Sequence, residues 1–327
     1  MPRKKDREKY SIPDENTYDM VREQLGLSVY SYTEEASKAA ELPRSEHPDV
    51  SFFNDIDVNQ WKVYDEIITD SLWLIGSRDK SGAHTAELHG NFIPQIPHQA
   101  MLRYTKRGEV VLDTFLGSGT TLIECKRLGR YGIGIELLPI LVERSRELIA
   151  KQSNSWNVKT KVIQGDSCLP ATMQDVQDLL RKEYGRDKVQ LIIMHPPYHD
   201  IIKFSDDPRD LCNSPTVADF LENFGVIVRN SYDLLEDKRF LVLVIGDKYT
   251  KGEWVPLGFY TMQKVIENGY KLKSLVVKNI VGNRAKRNLE HFWRRRALKW
   301  GFYVFKHEYV MFFQKVRETL KHDKTSI

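Results

Sequence analysis

Seven short apolar, β-branched runs, separated by stretches long enough for a helix, restrict the fold of this chain more than any other feature. They are Glu109-Val110-Val111-Leu112-Asp113, Tyr131-Gly132-Ile133-Gly134-Ile135-Glu136, Lys161-Val162-Ile163-Gln164-Gly165-Asp166 and Leu191-Ile192-Ile193-Met194-His195. Phe240-Leu241-Val242-Leu243-Val244-Ile245-Gly246-Asp247, Leu272-Lys273-Ser274-Leu275-Val276-Val277 and Tyr309-Val310-Met311-Phe312-Phe313 complete the series. Strands alternating with helices predict an α/β architecture, a mostly parallel sheet with helices on both faces. Five of the seven runs end at or just before a carboxylate or a histidine. The carboxyl ends of parallel strands are where such sheets gather ligands, so those polar residues are candidate site residues.

The first run leads into Asp113-Thr114-Phe115-Leu116-Gly117-Ser118-Gly119 and a helix expected to begin near Thr120. Two glycines there permit close approach of a ligand to the backbone. A dinucleotide fingerprint would need glycine where Leu122 stands, and a P-loop would need a Gly-Lys-Ser or Gly-Lys-Thr that is absent. Glu136 ends the second run, where a carboxylate can accept bonds from both ribose hydroxyls, and Asp166 ends the third, where one can accept from an adenine amine. Together they describe a site for an adenosine without polyphosphate. Taken singly, each acid could equally be a solvated strand end.

Asp-Thr-Phe-Leu-Gly-Ser-Gly-Thr-Thr at 113 to 121, followed by Glu136, Asp166 and His195-Pro196-Pro197-Tyr198, resembles the DNA amino-methyltransferases. Their cofactor loop reads Asp-x-Phe-x-Gly-Ser-Gly-Thr-Thr, and their catalytic tetrapeptide reads Asp, Asn or Ser followed by Pro-Pro and Tyr or Phe. The resemblance covers roughly residues 86 to 316 and implies a Rossmann-like seven-stranded methyltransferase sheet binding S-adenosylmethionine. By it, Asp113, Phe115, Gly117 and Thr120 line the methionine side, with Ser118 and Gly119 in the same loop, while Glu136 holds the ribose and Asp166 the adenine edge. Gly90-Asn91-Phe92-Ile93-Pro94-Gln95-Ile96-Pro97 resembles the element the family places before this loop, with Phe92 closing over the cofactor. The cofactor loop precedes the tetrapeptide, whereas many relatives run the other way, which implies a circularly permuted order.

An exocyclic base amine is a poor nucleophile because its lone pair is delocalised into the ring, so catalysis calls for acceptors aimed at the amine hydrogens. The Pro196 carbonyl is one candidate, and Tyr198 offers a flat face for an extruded base. His195 stands where the family has Asp, Asn or Ser. Only a neutral imidazole can accept, so turnover is expected to fall as pH drops through a pKa of ~6.5; the alternative is that His195 fills space while the Pro196 carbonyl and a water act. Methylation of a cytosine ring carbon would need a Pro-Cys nucleophile, and none of Cys125, Cys168 and Cys212 follows a proline. The three cysteines have no metal-ligand spacing either, and no metal site is expected. Beyond the tetrapeptide, 199–205 is expected to be a mobile loop over the target or a plain surface connection. Asp247 is expected to border the pocket or end a strand in solvent.

Charge is unevenly distributed. From Lys271 onward there are fifteen Lys and Arg against four Asp and Glu, while the whole chain is only +4. Within this block Asn283-Arg284-Ala285-Lys286-Arg287-Asn288 and His291-Phe292-Trp293-Arg294-Arg295-Arg296-Ala297-Leu298-Lys299-Trp300 interleave basic and aromatic residues. Arg284, Lys286, Arg287, Arg294, Arg295, Arg296 and Lys299 are the candidate DNA contacts, the alternative being an amphipathic connector.

Three regions are expected: an N-terminal accessory segment, 1–85, with helix-like spacing only in short pieces; a catalytic domain, 86–316, with a basic insert near 283–300; and a polar tail, 317–327. No apolar run reaches membrane-spanning length and the start Met-Pro-Arg-Lys-Lys-Asp lacks a secretory pattern, so a cytoplasmic location is expected. The expected activity is methyl transfer from S-adenosylmethionine to a flipped base in DNA, at adenine N6 ahead of cytosine N4. The activity is expected either as the modification half of a restriction system, with a cognate restriction endonuclease as functional partner, or as that of a solitary methylase. An RNA base amino-methyltransferase and a DNA-binding regulator without turnover remain the alternatives.

Overall fold

The computed structural model describes residues 51–88, 90–280 and 290–316. Among the described residues eight strands form one sheet: β1 (Leu72–Trp73), β2 (Val110–Asp113), β3 (Tyr131–Glu136), β4 (Thr160–Gln164), β5 (Val189–Met194), β6 (Leu235–Ile245), β9 (Tyr270–Asn279) and β10 (His307–Lys315). A separate hairpin pairs β7 (Lys248–Thr250) with β8 (Glu253–Val255). The order across the sheet is β1-β9-β10-β6-β5-β2-β3-β4, and β10 is the strand that runs antiparallel to its neighbours. All seven runs read from the sequence are strands of this sheet. The eighth, β1, is two residues long and too short to show a period.

Alternate residues of the central strands face opposite ways, as the pleat requires. Leu112, Ile192, Met194, Leu241 and Leu243 pack with Phe220, Phe224 and Ile227 of α5 (Val217–Tyr232) and with Val265 of α6 (Leu257–Glu267). Val111, Leu191, Ile193, Val242 and Val244 pack with Ile96, Ala100 and Met101 of α1 (Gln95–Tyr104) and with Cys125 and Leu128 of α2 (Thr120–Leu128). Burial on both faces explains why these strands read as continuous apolar runs. Two further helices, α3 (Pro139–Lys151) and α4 (Pro170–Leu179), each begin on a proline, which suits a first turn that needs no amide donor. The longest helix among the described residues, α5, starts on a reciprocal capping box between Thr216 and Asp219.

Strand order reverses at β2: β3 and β4 lie to one side, and β5 returns to the other. Such a reversal leaves a crevice at the strands' carboxyl ends. The loop after Asp113 and the tetrapeptide after Met194 leave these two neighbouring strands, which pair Asp113 with Ile193. Residues 51–88, expected within an accessory segment, pack on the same sheet: Trp73 is almost wholly buried, and Ile68 and Ile75 share its core. Residues 1–50 and 317–327 lie outside the described residues. No helix among the described residues is long and apolar enough to cross a membrane.

Candidate active site

At the crevice lies a cavity of about 660 Å³, a volume typical of small-molecule sites. Its wall includes Phe92, Phe115, Gly117, Glu136 and Asp166 from the expected cofactor half, and His195, Pro196, Pro197 and Tyr198 from the expected chemical half. Motifs far apart in sequence thus meet in one space.

The loop after β2 is held by its own polar groups. Asp113 is buried, accepting from the Phe115 amide at 2.9 Å and the Thr121 hydroxyl at 2.5 Å. Burial pushes its carboxyl up to about 6, against both bonds. Gly119, at φ +88, turns the chain into α2 with Ile149 only 3.0 Å from where a Cβ would stand. The Asn91 amide donates to Ser118 Oγ at 2.6 Å, and the Thr120 hydroxyl donates to Asn91 Oδ1 at 3.0 Å. Four residues of the expected cofactor set stand in the loop's own framework. Asp113, Ser118, Gly119 and Thr120 do not line the cavity; they shape the loop and tie it to the segment carrying Phe92. Arg78 supports that segment, donating to the Phe92 carbonyl at 2.9 Å and the Thr85 carbonyl at 2.9 Å.

Glu136 accepts from the Gly117 amide at 2.8 Å and the Leu138 amide at 2.9 Å, one bond per oxygen. Each oxygen keeps a second acceptor site, which is what a diol requires. Burial pushes this carboxyl up to about 7 in spite of both amides. Asp166 caps the following turn by accepting from the Cys168 amide at 2.8 Å, and also lines the cavity. A nucleoside carrying a short, phosphate-free substituent fits this donor and acceptor set.

His195 meets the ring of Phe92 edge-on at 4.9 Å and that of Tyr198 at 5.6 Å. Burial pushes its imidazole down to about 4, so it is neutral across the physiological range. With the imidazolium disfavoured by burial, a fall in turnover from His195 belongs below the pH 6.5 expected for an unperturbed ring. No donor among the described residues reaches the Pro196 carbonyl. The Tyr198 hydroxyl donates to Glu308 Oε2 at 2.9 Å, and its ring lies against Gly246, where a Cβ would stand 2.9 Å from a ring carbon. Lys278 donates to Glu308 Oε1 at 2.8 Å.

Glu308 and Lys278 line the cavity and were missed from the sequence. The available signal was a charged residue inside each of two apolar strands, Lys278 after Leu275-Val276-Val277 and Glu308 before Tyr309-Val310-Met311. Ile202 and Phe204, from the 199–205 loop expected over the target or as a surface connection, line the cavity and close on Gly90. His199 of that loop is buried, donating to the Ser214 carbonyl through Nε2 at 2.8 Å and accepting from Lys248 at Nδ1 at 2.7 Å. Asp247 is neither at the pocket nor in solvent. It is buried and accepts from the Gly258 amide at 2.9 Å and the Tyr309 hydroxyl at 3.1 Å.

Of the candidate DNA contacts, Arg294, Arg295, Arg296 and Lys299 share α7 (Glu290–Trp300), while Arg284, Lys286 and Arg287 lie outside the described residues. Arg296 lies over Phe292 and Trp293 at 5.4 and 5.1 Å, and Lys299 over Trp300 at 4.7 Å. Phe292 and Trp300 are more than half exposed. Past the helix, Phe302 stacks on Tyr249 at 4.0 Å and Phe305 meets Trp254 at 4.2 Å, which pins this region to the β7–β8 hairpin.

Asp79, His84 and Glu124 form a cluster of metal-ligand types behind the cofactor loop. Arg127 bridges it, 3.0 Å from Asp79 and 2.6 Å from Glu124, so a guanidinium already supplies the cation.

Residues 13–147 match the family described as DNA methylase. Over 69 residues the chain is 42% identical to the type II methyltransferase M.MjaII of Methanocaldococcus jannaschii, covering 20% of this chain and 13% of that protein. Over 73 residues it is 36% identical to the type II methyltransferase M.Cfr9I of Citrobacter freundii, covering 22% and 23%. The chain thus spans less than a quarter of the length of either relative. Among solved structures, TrmN from Thermus thermophilus overlaps 69% of this chain and 49% of its own, at 17% identity and a TM-score of 0.41. The fold assignment rests on the strand order, and the DNA amino-methyltransferase resemblance is borne out by the family match and the type II relatives.

Proposed function

From a chain whose residues 13–147 match the DNA methylases, we propose an enzyme that moves a methyl group from S-adenosylmethionine to an exocyclic amine of a base in DNA. One observation carries this reading: the adenosine-type acceptors Glu136 and Asp166 share a single cavity with His195, the Pro196 carbonyl and Tyr198. The favoured target atom is adenine N6, with cytosine N4 the other.

The residues present fit the cofactor, since Glu136 keeps an acceptor site on each oxygen and the Gly117 backbone lies bare on the cavity wall. Phe92, Phe115, Gly117, Glu136 and Asp166 would hold it. When bound, it supplies a methyl group on a positive sulfonium. The chain's own residues then act on the amine. His195 Nδ1 and the Pro196 carbonyl are acceptors without a partner among the described residues, and a bond from each amine hydrogen would draw the nitrogen toward the pyramidal form that attacks. The base must leave its stack to arrive there, and Tyr198, Ile202 and Phe204 offer it an apolar surround. α7 is proposed as a phosphate-contacting element and 1–85 as an accessory DNA-contacting segment, with a restriction endonuclease as functional partner.

The test is incubation of the full chain with methyl-labelled cofactor and unmodified genomic DNA, then nucleoside analysis and mapping of modified positions. Label in N6-methyladenine or N4-methylcytosine is expected. Label in RNA alone, or cofactor binding with no transfer to any nucleic acid, would overturn the reading.

A further inference from the structure

The tetrapeptide's first residue is required to accept, and a neutral imidazole accepts through only one of its two nitrogens. Which one depends on where its single proton sits, and the surroundings of Tyr198 decide that. Glu308 is half-buried on the cavity wall, its side chain 12% exposed; although burial raises its carboxyl, the adjacent Lys278 ammonium and the bonds it receives hold it below the usual carboxylate range. An ionised carboxylate only accepts. Its two oxygens therefore take the Lys278 ammonium and the Tyr198 hydroxyl proton. With its proton directed to Glu308, the Tyr198 oxygen can only accept from His195 Nε2, which stands 3.4 Å away. That bond is long, but its polarity is set. A proton on Nε2 leaves Nδ1 with the lone pair, and Nδ1 makes no hydrogen bond among the described residues.

We propose that Glu308, oriented by Lys278, is a positioning residue that works through the Tyr198 hydroxyl to hold His195 in the Nε2-protonated tautomer, so that Nδ1 is the acceptor for the target amine. The proposal rests on the methyltransferase reading for its consequence, but the tautomer is a property of the protein alone. It supplies a physical account of a histidine in place of Asp, Asn or Ser: a side chain with one donor and one acceptor needs an external group to point the acceptor the right way.

Substitution reverses the polarity. In Glu308→Gln, Lys278 has only donors and claims the amide oxygen, leaving the amide NH2 to face Tyr198. The Tyr198 oxygen then accepts, its proton turns to His195 Nε2, and the imidazole proton moves to Nδ1. Adding Lys278→Met frees the amide oxygen to turn toward Tyr198 and restores the original direction.

The experiment is 15N NMR of the histidine-labelled full chain, with His195 assigned by its loss in His195→Ala, alongside steady-state kinetics. Expected are the Nε2–H tautomer in the wild type, the Nδ1–H tautomer in Glu308→Gln with kcat down at least tenfold and cofactor KM unchanged, and recovery of both tautomer and most of kcat in Lys278→Met/Glu308→Gln. An unchanged tautomer in Glu308→Gln, or a double variant no better than the single, overturns the proposal. Where either variant fails to fold, Tyr198→Phe removes the hydroxyl at constant volume; a His195 tautomer unaltered there also overturns it. If the tautomers behave as expected while no form, wild type included, methylates any nucleic acid, the device stands and the methyltransferase reading fails.

Discussion

Glu136 and His195 line the same cavity, and burial among protein atoms drives both toward their neutral forms: the acid up to about 7, the imidazole down to about 4. The signs have opposite uses. A ribose donates to Glu136, so binding favours the carboxylate; affinity for S-adenosylmethionine is expected to tighten as pH rises from 6 to 8. In Glu136→Gln it should be weaker and flat with pH, as equilibrium dialysis can show; a pH-independent wild type would count against Glu136 as the ribose holder. His195 needs its neutral form to accept, and has it at every pH well above 4. With substrates saturating, kcat should therefore show no His195-dependent fall between pH 5 and 8, while His195→Ala lowers kcat by roughly 10- to 100-fold. A step near pH 6.5 that disappears in His195→Ala would show that the ring is better hydrated than its packing against Phe92 and Tyr198 suggests.

Among the elements, α7 and α1 make different demands on charge. α7 carries Arg294, Arg295, Arg296 and Lys299 beside aromatic rings. Replacing the three arginines by alanine should weaken DNA binding and shallow its dependence on log salt by ~0.9 for each phosphate left unneutralised. Unchanged binding at low and high salt would leave α7 as a connector. On α1, His98 Nδ1 is 2.7 Å from Glu124 of α2. Burial opposes its charge, yet the bonds and charges of Glu124 and Glu66 raise it to about 9. A folded pKa above the unfolded one stabilises fully below ~6.5 and the gain is lost as pH rises through 9. The denaturation midpoint should therefore drop over that interval, and His98→Gln should flatten the drop.

For the whole molecule, the two-residue strand β1 ties 51–88 to β9, with Trp73 almost wholly buried against the sheet and 6.5 Å from the Phe312 ring. Trp73→Ala is expected to cost ~3–5 kcal/mol in denaturant unfolding; a loss under ~1 kcal/mol would mean that this segment docks without supporting the sheet. By itself the sequence determined the seven main strands and the loop with Glu136 and Asp166, because burial on both faces writes continuous apolar runs and sharp polar ends into a chain. It could not supply β1, whose two residues take their conformation from β9. Nor could it distinguish Phe115 and Gly117, which reach the cavity, from Asp113 and Thr120, which turn back into the loop, since adjacent residues part company only when bonded. The tertiary structure alone brought Lys278 and Glu308 to Tyr198 and His195, from strands far downstream in the chain. A buried charge takes its meaning from its partners, and partners distant in sequence become neighbours only when the sheet is assembled.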